Sequence, residues 1–128
     1  MKLYYSEYKP NGILGEFFLD YSKFEVRQKI RGNFHLLNDY TSSLLIVLDI
    51  NSGKIICKIA GYRNERLRIN LKENSVLFIY KFKPEIFYLL NDGKIENFKN
   101  KIVNYLKIKF PAGIHDEKTI NDILIEHY

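Results

Sequence analysis

The segment from Ser42 to Lys83 contains several runs with apolar residues at strand spacing, and it constrains the fold of the chain more than any other feature. Its first half, SSLLIVLDINSGKIICKIAGY, consists of two β-branched runs joined by Asn51-Ser52-Gly53. A short polar connection that ends in glycine is typical of a hairpin, because glycine adopts the positive φ that such a turn requires. The sequence therefore predicts an antiparallel hairpin here.

The second half, ERLRINLKENSVLFIYKFK, alternates apolar and polar residues on both sides of Glu73-Asn74. This pattern predicts a second hairpin with a two-residue turn, in which Arg68 pairs with Ile79 and Arg66 pairs with Lys81. One face is then apolar, while the other is basic with two aliphatic residues among the charges. The predicted apolar face carries Leu67, Ile69, Leu71, Val76, Phe78, Tyr80 and Phe82, and the basic face carries Arg66, Arg68, Lys72, Lys81 and Lys83 beside Leu77 and Ile79.

The segments on either side of these runs give weaker patterns. Residues 2–8 predict a strand, and residues 15–31 fit both a helical stripe and a strand alternation. Strands are favoured over 15–31 because aromatic and β-branched residues dominate. After Pro84, residues 85–97 favour a strand that turns at Asp92-Gly93, with a short buried helix as the alternative.

The C-terminal third predicts helices. Residues 95–108 carry apolar side chains at helical spacing, and residues 116–128 form a short helical pattern capped by Asp116 or Thr119. The predicted fold class is therefore α+β: an antiparallel sheet of hairpins centred on about residues 43–83, packed against one or two C-terminal helices.

Length and composition predict one globular domain that spans residues 1–128. The chain is 46% hydrophobic and 27% charged, which is typical of a folded protein. No apolar run approaches the roughly 20 residues of a membrane-spanning helix. The first ten residues, MKLYYSEYKP, have charges and tyrosines where a signal peptide has its apolar region. We therefore expect a cytoplasmic protein without a membrane partner.

Charge is distributed unevenly along the chain, whose net charge is +5. Residues 49–113 hold thirteen Lys/Arg and six Asp/Glu, whereas residues 114–128 hold one and four. The middle of the chain is thus its basic part. A basic surface of this kind is suited to a nucleic acid or another anionic partner.

Motifs for catalysis and for cofactors do not occur in the sequence. There is no G-x-G-x-x-G, Walker loop, G-x-S-x-G or H-E-x-x-H. The three histidines, His35, His115 and His127, lack the short spacing of metal ligands, and Cys57 is the single cysteine. His115 beside Asp116 is interpreted as a loop residue before a helix cap. No catalytic residue, metal or cofactor is predicted.

The stretch YRNERLRINLKEN, residues 62–74, contains three of the five arginines of the chain within six residues. Arginine binds phosphate or carboxylate through two parallel hydrogen bonds, so this cluster is the candidate binding site. A solvated hairpin face flanked by Glu65 and Glu85 is the alternative interpretation. The candidate binding residues are Tyr62, Arg63, Arg66, Arg68, Lys72, Lys81 and Lys83.

Two classes of function without catalysis fit these features. The first is a binding protein that engages a nucleic acid or a nucleoprotein complex through the basic hairpin face. Small intracellular proteins of this composition are often accessory or inhibitor proteins of phages and mobile elements. The second is an interaction domain that self-associates as a homodimer through exposed apolar residues.

A third class follows from a resemblance. The segment RLRINLKENSVLFIYKF, residues 66–82, is similar to the basic strand and the following strand of the RelE-like toxin family. The resemblance implies a metal-independent ribonuclease in which arginine, lysine and tyrosine stabilise phosphate and move protons. The chain departs from that family because it has no leading pair of long helices and no counterpart of the terminal catalytic strand. The binding protein is therefore the first hypothesis.

Overall fold

An antiparallel sheet forms the centre of the computed structural model, which describes residues 3–10, 12–27, 34–36, 41–90, 98–105, 108–110, 113 and 116–127. Within these ranges six strands pair in the order β1-β2-β7-β4-β5-β8, and β3 pairs with β6 in a separate two-stranded ribbon. All these neighbours are antiparallel. The strands are β1 Leu3–Tyr8, β2 Phe18–Val26, β3 Phe34–Leu36, β4 Ser43–Asp49, β5 Ile55–Ala60, β6 Leu67–Ile69, β7 Ser75–Phe82 and β8 Ile102–Asn104, and the helices are α1 Gly12–Phe17, α2 Pro84–Leu90 and α3 Glu117–His127. The predicted α+β class is confirmed.

The hairpin of β4 and β5 forms as the sequence predicts. Leu48 lies opposite Ile55 at the end of the ladder. The backbone N–H of Asp49 donates to the carbonyl of Lys54 at 2.9 Å, which closes the connection. Gly53 has a φ of 69°, in the left-handed region that glycine enters without steric cost.

The second predicted hairpin is wrong. β7 does not pair with β6 but lies between β2 and β4, where Ile79 is opposite Leu45. β6 pairs with β3 instead, and Arg68 is opposite His35. The reason is the run of apolar residues along β7, since a strand that is apolar at consecutive positions must be covered on both faces. That requirement places β7 inside the sheet and leaves β6 to cover it.

One face of the sheet packs against α3. The core on this side includes Phe78 and Tyr80 of β7 together with Ile120 and Leu124 of α3. The hydroxyl of Tyr80 donates to Oδ1 of Asn121 at 2.6 Å, which anchors the helix to the central strand. The predicted packing of a C-terminal helix on the sheet is thus confirmed.

The ribbon of β3 and β6 covers the opposite face. Leu77 and Ile79 of β7 are buried there with Leu45 of β4 and Leu71, and Leu67 and Ile69 of β6 pack against them. Leu77 is 0% exposed. The expectation that Leu77 and Ile79 lie on a solvated basic face is therefore wrong. The sheet is the middle of three layers, with helices on one side and the ribbon on the other.

Helix α3 begins where the C-terminal pattern predicts it. The carboxylate of Asp116 accepts the backbone N–H of Thr119 at 2.7 Å, so Asp116 is the cap. After Pro84 the alternative of a short helix is correct, because α2 occupies Pro84–Leu90 where a strand was favoured. Residues 91–97 lie outside the described part of the chain.

The helix predicted over residues 95–108 is wrong in its described portion. Residues 102–104 form β8, in which Ile102 lies opposite Ala60 of β5. Ile102 packs with the ribbon-side core and Val103 with the helix-side core, so this outer strand is partly buried on both faces. Residues 95–97 and 106–107 are outside the described ranges.

The N-terminal predictions are partly confirmed. The strand predicted over residues 2–8 is present as β1. Between 15 and 31, helix α1 ends at Phe17 and β2 follows directly, so the favoured strand is correct for residues 18–26. The remainder, residues 28–31, is not described.

Candidate functional site

Arg63, which the sequence places in the binding cluster, is buried. Its side chain is 2% exposed. The guanidinium donates to Oγ of Ser43, the first residue of β4, at 3.5 Å and to Oγ1 of Thr41, just before that strand, at 3.4 Å. Arg63 therefore lies beneath the surface that a partner would contact.

The loop around Arg63 is held in place by Asn100. Oδ1 of Asn100 accepts the backbone N–H groups of Asn64 and Glu65 at 3.0 and 3.2 Å. The backbone N–H of Asn100 in turn donates to the carbonyl of Tyr62 at 2.9 Å. Asn100 has a φ of 54°, a conformation that asparagine tolerates better than most residues. Residues 62–65 thus form a fixed structural loop.

Lys81 and Lys83 do not join Arg66 in one hairpin face. Lys81 is half-buried on β7, where its neighbours across the sheet are Asp20 and Ser43. Lys83 is half-buried beyond the end of β7. Arg66 is exposed just before β6, in the ribbon layer. The predicted pairing of Arg66 with Lys81 is absent because β7 pairs with β2 and β4, whereas β6, which follows Arg66, pairs with β3.

Tyr62 is exposed beside a small apolar cavity rather than among the basic residues. The cavity has a volume of about 110 Å³, and Leu19, Phe82 and Phe87 contribute to its lining. Its apolar walls match the aromatic ring of Tyr62. The cavity offers no charged group from the candidate cluster.

Arg68 and Lys72 line a groove between the ribbon and the outer strands of the sheet. Two adjoining depressions, with volumes of about 230 and 170 Å³, share Val47, Ile56 and Asn70 and so form one groove. We call this feature the basic groove. Its described lining is Leu45, Val47, Asp49, Lys54, Ile56, Lys58, Arg68, Ile69, Asn70, Lys72, Ser75 and Ile102.

The basic groove carries four cationic side chains against one carboxylate. Lys54 and Lys58 lie on one wall, the β5 wall, which consists of β5 and the residue before it. Arg68 and Lys72 lie on the other, the ribbon wall, which consists of β6 and residues 70–72 after it. The carboxylate belongs to Asp49. Two walls of like charge thus face each other, an arrangement that attracts an anion into the space between them.

The single carboxylate among the described groove residues, that of Asp49, accepts hydrogen bonds within the β4–β5 turn. Oδ1 of Asp49 accepts the backbone N–H groups of Asn51 at 3.0 Å and Ser52 at 3.4 Å. These hydrogen bonds offset part of its negative charge within its own loop. The positive field of the groove is therefore only weakly opposed from inside.

The groove cations are not used by ion pairs with other described residues. Ion pairs elsewhere in the described chain join Lys23 to Glu25 and Glu117, and Arg27 to Glu25, on or next to β2 and α3. Neither Lys54, Lys58 nor Lys72 has a side-chain partner among the residues with defined positions. These lysines remain available to an external anion.

The β5 wall has a simple repeat that is visible in the sequence. Lys54, Ile56 and Lys58 occupy alternate positions, and Ile56 is 45% exposed between the two lysines. In extended backbone the two lysines are about 13 Å apart. The alternation of charge and isoleucine marks this wall in the sequence, but it does not show that Arg68 and Lys72 lie across the groove from it.

The polar contacts on the helix side have a structural role. The hydroxyl of Tyr21 donates to Oε2 of Glu117 at 2.9 Å, and Nζ of Lys23 lies 3.4 Å from Oε1 of the same carboxylate. Burial, together with the hydrogen bond to Glu117, raises the pKa of Tyr21 to about 12. The phenol therefore stays protonated at neutral pH and fixes α3 to β2.

Cys57 faces the helix-side core. Its thiol is buried, and this burial raises its pKa to about 12. Because the thiolate is the reactive form, the side chain is inert at neutral pH.

Metal ligands, membrane-spanning helices and similarity to known proteins were also sought as signs of function. Within the described ranges, which exclude His115, no three His, Cys, Asp or Glu side chains are grouped to hold a metal ion. No helix among these residues has the length and apolar character needed to cross a membrane. No protein-family model, curated protein or solved structure matches the chain.

Proposed function

We propose that the chain is a non-enzymatic binding protein that engages an anionic partner through the basic groove. The observation that carries this proposal is the convergence of four cations from two separate layers of the fold on one concave surface. The partners expected from the sequence, a nucleic acid or a nucleoprotein complex, both supply the necessary negative charge. An accessory or inhibitor protein of a phage or mobile element would act in this way within the cytoplasm.

The charge balance supports this proposal over a purely solvated surface. Cations that face each other across a groove repel, and this repulsion lowers the stability of the free protein unless a partner relieves it. Elsewhere the chain neutralises cations with its own carboxylates, as at Lys23 on β2 and at Arg27 just after it. The groove lysines lack such neighbours among the described residues. Their positions are thus suited to complementary charge from outside.

The experiment compares two triple variants of equal charge. The groove variant replaces Lys54, Lys58 and Lys72 with glutamine, and the control variant replaces three exposed lysines outside the groove lining. The control positions are Lys9, Lys109 and Lys118. Affinity for single-stranded DNA, duplex DNA, RNA and poly-L-glutamate is measured over a range of salt concentrations.

The groove variant should lose affinity for the bound polyanion at least about tenfold, because three direct contacts are removed. With a nucleic acid, the slope of log K against log salt should also become less steep by about 2 to 3. The control variant should change much less. Equal losses in both variants would mean that the overall charge of the protein, rather than the basic groove, attracts the anion.

Self-association remains a second candidate because α2 exposes two apolar residues. Tyr88 is 54% exposed and Leu89 is 68% exposed, whereas Phe87 of the same helix is buried. An exposed apolar pair of this kind can support a homodimer contact. Light scattering of the parent and of Leu89→Ser tests it: a dimer that becomes a monomer on substitution supports this candidate, and a monomeric parent at high concentration removes it.

A further inference from the structure

The apolar part of the basic groove is aliphatic. Ile56 is exposed between Lys54 and Lys58, and the floor beside it is formed by partly buried Val47 and Ile69. Among the lining residues that the structure describes, none has an aromatic ring. The contact surface between the cations therefore suits aliphatic side chains.

This surface chemistry separates two classes of anionic partner. Proteins that bind single-stranded nucleic acid use aromatic side chains on which successive bases stack, in combination with a basic groove. An acidic protein segment instead offers aliphatic side chains between its carboxylates. Ile56 provides a contact for such a side chain, but it lacks the flat face that a base would stack on.

The spacing of the β5 wall also matches an extended peptide. Lys54, Ile56 and Lys58 repeat every second residue, at about 6.7 Å. A peptide in extended conformation has the same repeat, so alternate residues on one of its faces can align with these three side chains in register. Carboxylates would then meet the lysines, and an aliphatic residue would meet Ile56.

The ribbon wall supplies the remaining interactions. Asn70 is exposed between Arg68 and Lys72, on the side of the groove opposite the β5 wall. A side-chain amide both donates and accepts, so it is suited to the N–H and C=O groups of a peptide backbone. Arg68 can bind a carboxylate through two parallel hydrogen bonds.

We infer that the basic groove binds an extended segment of an acidic protein in which carboxylates alternate with aliphatic side chains. This inference rests on the proposed function, because it names the class of partner that occupies the same groove. In a nucleoprotein complex, the protein component would be the part that the groove contacts. Recognition depends on Ile56 as well as on the four cations.

The test uses three fluorescent probes of equal nominal length. The first is a ten-residue peptide that alternates glutamate and valine, the second has the same composition with the glutamates in one block, and the third is a ten-nucleotide oligothymidylate. Affinities are measured by fluorescence anisotropy for the parent, for the groove triple variant, for the control triple variant and for Ile56→Ser. Because Ile56 is half exposed, Ile56→Ser should fold like the parent, which a thermal melt verifies.

The alternating peptide should bind at least about fivefold more tightly than the blocked peptide, and Ile56→Ser should weaken its binding about fivefold through the loss of apolar contact. If the groove triple variant loses affinity for the oligothymidylate but not for the alternating peptide, this inference is overturned and the proposed function is left intact. If the groove triple variant binds the alternating peptide and the oligothymidylate as tightly as the parent does, both the inference and the proposed function are overturned. Equal binding of the two peptides, unaffected by Ile56→Ser, would also overturn the inference.

Discussion

Leu77→Ala tests the topology on which the basic groove depends. Leu77 of β7 is fully buried between the sheet and the ribbon, whereas the hairpin predicted from sequence would leave it on a solvated face. Truncation of a buried leucine removes its transfer free energy and leaves a cavity, at a cost of about 2–5 kcal/mol. This is a large fraction of the roughly 5–15 kcal/mol that stabilises a typical domain. For a chain of this length, the melting temperature should fall by about 8–20 °C.

The assay is urea unfolding at equilibrium, followed by far-ultraviolet circular dichroism, with the thermal melt as a second measure. Ile56→Ala is the matched control, because Ile56 also faces the ribbon side of the sheet but is 45% exposed. It should cost less than about 1 kcal/mol. The denaturant slope should be the same for all three proteins if only native packing changes. A Leu77→Ala variant that unfolds within about 0.5 kcal/mol of the parent would refute the ribbon layer and restore the simple hairpin.

Three further predictions concern other parts of the fold. Gly61→Ala should destabilise the protein by about 1–3 kcal/mol or more in urea unfolding, because a Cβ at this position would overlap the backbone carbonyl of Phe98; parent-like stability would contradict the close approach of these segments. Burial raises the pKa of Tyr21 to about 12, above its unfolded value, so the stability it contributes is complete below pH 10 and is lost as the pH rises towards 12. Tyr21→Phe should therefore reduce the loss of stability at alkaline pH. The loss that remains is expected from buried Tyr80, whose pKa is also raised. An unchanged pH profile of stability would contradict this assignment. Cys57 should resist alkylation at pH 8 in the native protein and react quickly in urea, whereas rapid labelling of the native protein would show that the thiol is accessible.

The elements that could be predicted from sequence are those whose signals are local. Gly53 marks the β4–β5 turn because its conformation depends on its own backbone, and Asp116 marks the start of α3 because a cap acts within one turn. The strands that pair with β6 and β7 could not be predicted from local signals. Alternation shows which residues of a strand share a face, but it does not show which other strand lies beside them. Asn74 does reverse the chain with a positive φ, yet β6 leaves the sheet and covers it.

The candidate site was only partly visible for the same reason. Arg68 and Lys72 were predicted as binding residues and do line the basic groove, but Lys54 and Lys58 come from another layer of the fold. Their proximity arises from the placement of the ribbon over the sheet, which is a long-range packing effect. Arg63 was indistinguishable from its neighbours because composition does not reveal that its guanidinium turns inward towards Ser43.

The position of the bound anion is the most direct test of the central claim. ¹H–¹⁵N spectra of the labelled protein would be recorded during titration with the alternating glutamate–valine peptide and, separately, with oligothymidylate. For the probe that binds, we expect the largest chemical-shift changes on the backbone amides of residues 54–58 and 68–72, the two walls of the basic groove. Changes concentrated on α2 or α3, with residues 54–58 and 68–72 unaffected at saturation, would contradict it.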